Sequence, residues 1–413
     1  MVGLAVLFTL LCLPLLLSNR ESNYTWDETS YHLPAVRQIR EHWPKLDVEK
    51  DSLSATAPGY HYFLASISLA TGTGRPALRL VNLAVSFGVV VLLCRSWPAG
   101  CGPWPAFFSI LPLAASNFVI KSASYVVTDN AALLFSTGTL LSLFLIPSKR
   151  GPRAASVLAA AGVFVRQISI WLVAPLAVRL LAEPRPVRRL PLVLPACLTL
   201  AWLFLSWRGV VPPIWRDLTH ASQGLVPAAG AYLLAVLAIL GPFYYLVASR
   251  PTWRADAFNR WSIAGASVGI ILAVAGPNTP DHDSGRWGGY LWELAARLPN
   301  LGDYSPVFLV LAPMGGVVLT MLARRLWTEV GPNAGAVWLI SFLAWMSTTM
   351  TNRQVFHRYY EPTLLLLLIC WLLLLVRSRP AGSLLNIKPL AMLGVFQLLV
   401  TLVTAHARTF GFL

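Results

Sequence analysis

The sequence predicts an all-α polytopic membrane protein, and three observations carry that prediction. Only 12% of the 413 residues are charged and 56% are hydrophobic, with a mean hydropathy of +0.63; a soluble globule carries about 25% charged residues. Apolar runs of about 17 to 25 residues, long enough to cross a bilayer's hydrocarbon core, recur along the chain. The ~10-residue alternating segments of a transmembrane β-barrel do not occur.

The first apolar run, residues 2–18, has neither a basic leader nor a small-x-small cleavage site, so it reads as a retained helix. A long polar stretch, 19–58, follows it. Apolar segments then cover 60–71 (short, and read as interfacial), 77–94, 104–120, 125–147, 154–165, 168–182, 190–207, 229–248, 261–275, 305–323, 336–350, 362–376 and 389–406. The expectation is about 13 spans in a single membrane domain, 1–413.

Orientation follows from Lys and Arg in the short connectors. One alternating set carries Arg95; Lys149, Arg150 and Arg153; Arg179, Arg185, Arg188 and Arg189; Arg250, Arg254 and Arg260; Arg324 and Arg325; and Arg377, Arg379 and Lys388. These connectors are expected on the cytoplasmic side. The phase holds only if 154–182 is two short helices meeting at "RQIS", 166–169. The opposite connectors then share the extracytoplasmic face: the long first loop 19–58, 121–129, the 166–167 tip, 208–228, 276–304 and 351–361. A net charge of +15 would suggest nucleic acid in a soluble chain; here membrane orientation accounts for it, and membrane lipids rather than nucleic acid are the expected surroundings. The five cysteines have no metal-binding spacing.

The extracytoplasmic connectors hold the polar residues suited to chemistry. Asp27, Glu28 and His32 stand in "TWDETSYHLP", and a helical segment there would cluster them on one side. A carboxylate at the membrane surface can remove a proton from an acceptor hydroxyl; the competing reading is a helix cap or loop solvation. Asp129 opens an apolar run, where it either serves chemistry or caps a helix. Arg166 and Gln167 interrupt "FVRQISIW", and a guanidinium there suits a phosphate. "TNRQVFHRYYEP" gathers Arg353, His357 and Arg358 beside Tyr359 against the positive-inside trend, and Arg286 lies in the 276–304 loop. Asp281 and Asp283 form a D-x-D without the soluble domain that usually surrounds one, so no metal and no cofactor is expected. No P-loop, G-x-S-x-G or Rossmann fingerprint occurs. Carboxylates and arginines facing one cavity suit inverting glycosyl transfer from a polyprenyl-phosphate sugar, with a carboxylate as base and cations on the departing phosphate.

The order of "DETSYHLP" (27–34), "SATAPGYHYF" (54–63), "SYVVTDNAALLF" (124–135), "FVRQISIW" (164–171) and "FHRYYEP" (356–362) resembles the dolichyl-phosphate-glucose-dependent α-1,2-glucosyltransferases of N-glycan precursor assembly. These are GT-C glycosyltransferases. The resemblance implies a GT-C-type helical bundle, with catalytic acids at Asp27, Glu28 and Asp129. It also implies donor-phosphate contacts from Arg166, Gln167 and Arg358, and a loop shaped by Pro58, Gly59 and Tyr60. Arg353 and Arg286 join the phosphate set, and His32 and Tyr359 the shaping set, from their places in the loops. The partners implied are a polyprenyl-phosphate-linked sugar, glucose or another hexose, and a lipid-linked glycan or other envelope acceptor. The chain departs from the family in one extra residue between Glu28 and His32, and in "RQIS" where the family has R-Q-T-N. Its arginine-rich, lysine-poor usage suits a high-GC genome. The expected location is therefore a bacterial plasma membrane, or the endoplasmic reticulum membrane in a eukaryote. The competing function is a transporter or flippase of a lipid-linked or anionic substrate, which commonly shows repeated halves that are not visible here.

Overall fold

The computed structural model describes residues 2–18, 22–45, 47–51, 53–146, 150–183, 186–215, 224–248, 257–352, 354–380 and 385–407; Arg353 lies outside them. Helices carry the described chain, and its β content is limited to the isolated bridges Asp281–Arg286 and Leu301–Tyr304. Among the described residues six helices are long and apolar enough to cross a bilayer, or seven if the bent pair Pro103–Ala114 and Asn117–Ser124 counts as one span. The expectation was about 13. That number is not confirmed: four further apolar helices, Val2–Leu17, Asp129–Leu145, Gln167–Leu181 and Arg260–Val274, are shorter, and other apolar segments are broken. The 104–120 segment bends by 70° between its two helices. The next helix begins only at Asp129 and runs 17 residues to Leu145. The 154–182 region breaks as the charge pattern requires: Arg166 is extended (φ −147°, ψ 116°) between the helix Arg150–Val165 and a 3-10 turn, Gln167–Leu172.

The chain forms two compact units. The first holds residues 1–97, 106–221 and 394–413; the second holds 98–105 and 222–393.

In the first unit the helix Val2–Leu17 leads to a continuous helical segment. Asn23–Asp27 is α-helical, Glu28–His32 is a π-turn, and Leu33–His42 is α-helical again. Ser22 caps its start, accepting from the Thr25 amide at 3.1 Å. Gly59 begins the helix Gly59–Thr71 where it meets the Phe164 backbone: a Cβ there would lie 2.6 Å from the Phe164 carbonyl oxygen. Only glycine allows that approach.

In the second unit the helix Glu361–Ser378 is buried on every side from Leu364 to Val376, as its unbroken leucine run requires. The indoles of Trp338 and Trp371 donate to the Leu367 and Leu322 carbonyls, each at 2.8 Å, so neither of these two N–H groups is stranded in the apolar interior. The helices Arg260–Val274 and Pro306–Glu329 cross with Gly265 facing Gly316, backbone against backbone; a Cβ on either would overlap the other's carbonyl. Small residues substitute for the hydrophobic effect, which gives no drive between helices in lipid.

Candidate functional site

In the first unit, four stretches expected on one face are joined by hydrogen bonds. The Glu28 carboxylate accepts from Arg79 Nε at 2.8 Å, Arg79 Nη2 at 2.5 Å and the Val126 amide at 3.1 Å. Arg79 Nη1 donates to the carbonyls of Leu16 and Ser18, at 2.9 and 2.8 Å. The Gln167 amide accepts from Ala57 N at 2.9 Å and donates to the carbonyls of Ala55, at 2.9 Å, and Val210, at 3.2 Å. Trp207 and Trp215 donate their indole N–H groups to Val48 and Leu53. The first loop, the stretch before Asp129, the 166–167 tip and the 207–215 segment are thus one assembly.

Within it the expected catalytic acids divide. Asp27 and Glu28 do not share a face, because neighbours on a helix point about 100° apart. Glu28 and its guanidinium partner are sealed inside, the side chains 0% and 2% exposed. Both Glu28 oxygens are spent on that pairing, so it ties the end of the first helix to the helix Arg75–Ser96. Asp27 is half-buried. Its charge lies close enough to Tyr31 to help raise that hydroxyl's pKa, although burial is the larger cause. Asp129, the first residue of its helix, pairs with Arg166; both side chains keep some exposure, 15% and 17%. The N-terminal position also favours the carboxylate through the helix dipole.

The other expected residues shape the scaffold. Buried His32 meets His61, Nδ1 to Nε2 at 2.8 Å, with the rings stacked at an interplanar angle of 14°. Pro58 precedes the close approach of Gly59. Tyr60 donates to Asn82 Oδ1 at 2.6 Å, and the Asn82 amide nitrogen bonds the carbonyls of Ser122, Ala123 and Tyr125. That amide holds the non-helical turn before Asp129 in place. Gln167, expected on the donor phosphate, is occupied instead as a backbone clamp. The signal for Arg79 was available in "ALRLVNLAV": an arginine and an asparagine three residues apart in an apolar helix need buried partners.

In the second unit, Arg286 turns into its own loop, donating from Nε to the Thr279 carbonyl at 2.8 Å and from Nη2 to Asp281 at 3.2 Å. Asp281 is held below the ordinary carboxylate range, first by the Ser284 hydroxyl and less by Arg286. Arg358 lies over the Tyr359 and Phe356 rings and donates to the Tyr359 hydroxyl at 3.0 Å. Beneath it runs a buried chain: the Tyr232 hydroxyl 2.7 Å from His357 Nδ1, and His357 Nε2 2.9 Å from Glu361. The 285–292 loop is laced to this segment by Val355 N to the Gly285 carbonyl, His357 N to the Gly288 carbonyl, and Trp292 Nε1 to the Val355 carbonyl. The 276–304 and 351–361 connectors, expected on one face, are therefore also joined.

No family model, no curated protein and no solved structure matches the chain.

Proposed function

We propose that the first unit carries the chemistry of an inverting glycosyltransferase. It would move a hexose from a polyprenyl-phosphate donor to a lipid-linked or envelope acceptor at the extracytoplasmic face of a bacterial or endoplasmic reticulum membrane. The observation that carries this reading is the contrast between Glu28 and Asp27. A sealed Glu28–Arg79 pair fixes the segment, and the adjacent Asp27 is left at the surface of a polar assembly that also presents Arg166.

In this mechanism the Asp27 carboxylate takes the proton of the acceptor hydroxyl. The oxygen attacks the anomeric carbon opposite the phosphate, the carbon–oxygen bond to phosphate breaks, and the configuration inverts. Arg166 meets the charge growing on the departing phosphomonoester, where a guanidinium's paired donors match phosphate oxygens. Asp129 holds Arg166 in place until a more highly charged phosphate competes for it. Pro58, Gly59, Tyr60, His32 and Gln167 support the walls.

The test is transfer from radiolabelled polyprenyl-phosphate glucose by the purified protein. Asp27→Asn should lower kcat by about 10²- to 10⁴-fold, the usual contribution of a general base, with thermal unfolding unchanged. Full activity in Asp27→Asn would end the assignment.

A further inference from the structure

The outward side of the segment holding Asp27 carries a row of aromatic rings that the mechanism above does not use. Trp26 and Tyr31 pack edge to face, with centroids 4.9 Å apart and planes at 89°. Tyr31 and Trp215 do the same at 4.7 Å and 72°. The row is rigid at its far end, because Trp215 donates its indole N–H to the Leu53 carbonyl at 3.1 Å. Its near end is open: Trp26 is 58% exposed. The carboxylate next in sequence, Asp27, acts electrostatically on the Tyr31 hydroxyl.

Two coverings are chemically conceivable for such a row, lipid and carbohydrate, and the surroundings favour carbohydrate. Trp26 shares its helix face with Asn23 and Ser30, at spacings of three and four residues, and both are exposed. Hydrocarbon would strand those polar groups without partners. A tryptophan anchoring at an interface turns its polar end toward water and headgroups, whereas Trp215 turns its N–H inward to a carbonyl. A pyranose suits the row: its carbon-bound hydrogens carry slight positive charge and match the negative face of an aromatic ring. Its hydroxyls, held at the ring's rim, come within reach of a neighbouring carboxylate. Rings already fixed by packing lose little freedom on binding.

We propose that Trp26, Tyr31 and Trp215 form a platform for the sugar ring of the acceptor, so that the hydroxyl Asp27 deprotonates belongs to a pyranose. The proposal rests on the glycosyltransferase reading and narrows it to saccharide acceptors.

The experiment separates the two. Saturation-transfer NMR is recorded on the full-length protein in nanodiscs with methyl α-glucopyranoside and methyl α-mannopyranoside as probes, with no donor present. Wild type and Trp26→Tyr should saturate the ring C–H protons, and Trp26→Ala should lose most of that signal. In transfer assays Trp26→Ala should raise the acceptor KM about five- to tenfold, the size of one ring contact, and leave the donor KM unchanged. Quenching by brominated lipids supplies the opposing outcome. If brominated acyl chains quench Trp26, or the saccharide signal is unchanged in Trp26→Ala, the row is a membrane anchor and the platform is overturned. Saccharide binding lost in Trp26→Ala, alongside a wild type that neither transfers nor hydrolyses the donor, would overturn the glycosyltransferase reading and leave the platform standing.

Discussion

The pairing of Glu28 with Arg79 predicts that two neighbouring acids fail in different ways. Arg79 makes four hydrogen bonds, two to the Glu28 carboxylate and two to the Leu16 and Ser18 carbonyls. Glu28 accepts a further bond from the Val126 amide. Removing one member leaves the other as an uncompensated buried charge, which costs about 3–5 kcal/mol. For a chain of this size that is a fall of roughly 3–6 °C in Tm. Arg79→Met and Glu28→Leu should each show it, and the double variant should lose less than the sum, with a coupling of about 2–3 kcal/mol. Asp27→Asn should lose none, because its side chain is half-buried and outside that pairing. The assay is thermal unfolding of each purified variant by intrinsic fluorescence, run beside transfer activity. The reasoning is refuted if Glu28→Gln unfolds at the wild-type temperature and yet loses transfer as completely as Asp27→Asn. That result would make Glu28 the base and the arginine its activator.

Gln167→Met keeps the side chain's length and removes the clamp on Ala55, Ala57 and Val210. Stranding the Ala57 amide should cost about 1–3 kcal/mol, and limited proteolysis should cut the 53–58 loop faster than in wild type. Asp129→Asn removes the charge that holds Arg166; competition with inorganic phosphate should show tighter anion binding, by a few-fold, and Arg166→Ala should abolish that gain. Cysteines placed at residues 30 and 287, in the two sets of connectors expected on one face, should label with an impermeant reagent from the same side of the membrane. Labelling from opposite sides would break the orientation drawn from the arginines.

The all-helical character and the convergence of polar connectors were legible in the sequence because both rest on composition. Apolar length selects helices in a bilayer, and basic residues choose a side for the loops between them. That alternation put 19–58, 166–167, 208–228, 276–304 and 351–361 on one face, but it did not say which of them touch. The breaks inside apolar runs were not legible, because length counted along a run does not register them. Ala115 and Ser116 look no different from their neighbours, yet the chain turns 70° there. Partners of buried polar groups were also hidden. Arg79 and Glu28 are 51 residues apart, and periodicity along one helix cannot report what crosses it.

The segment from Glu28 to His32 is helical, yet it is not a regular α-helix. On an α-helix, residues four apart such as Glu28 and His32 lie on one side, about 40° from each other, and Asp27 lies about 100° from Glu28. The chain instead closes a π-turn there, the Leu33 amide bonding the Glu28 carbonyl five residues back. A π-turn absorbs a single inserted residue without ending the helix, and such turns gather at functional sites. Here it keeps Glu28 and His32 both facing inward, on Arg79 and His61 respectively. The outward face is left to Trp26, Asp27 and Ser30. Deleting Ser30 should therefore restore an ordinary α-helix in which the two inward residues, now three apart, still share a side, so that the Glu28–Arg79 and His32–His61 contacts persist while the outward face that carries Asp27 is reshaped. A variant that lacks Ser30 and keeps wild-type unfolding and wild-type transfer would show that the turn has no part in presenting Asp27.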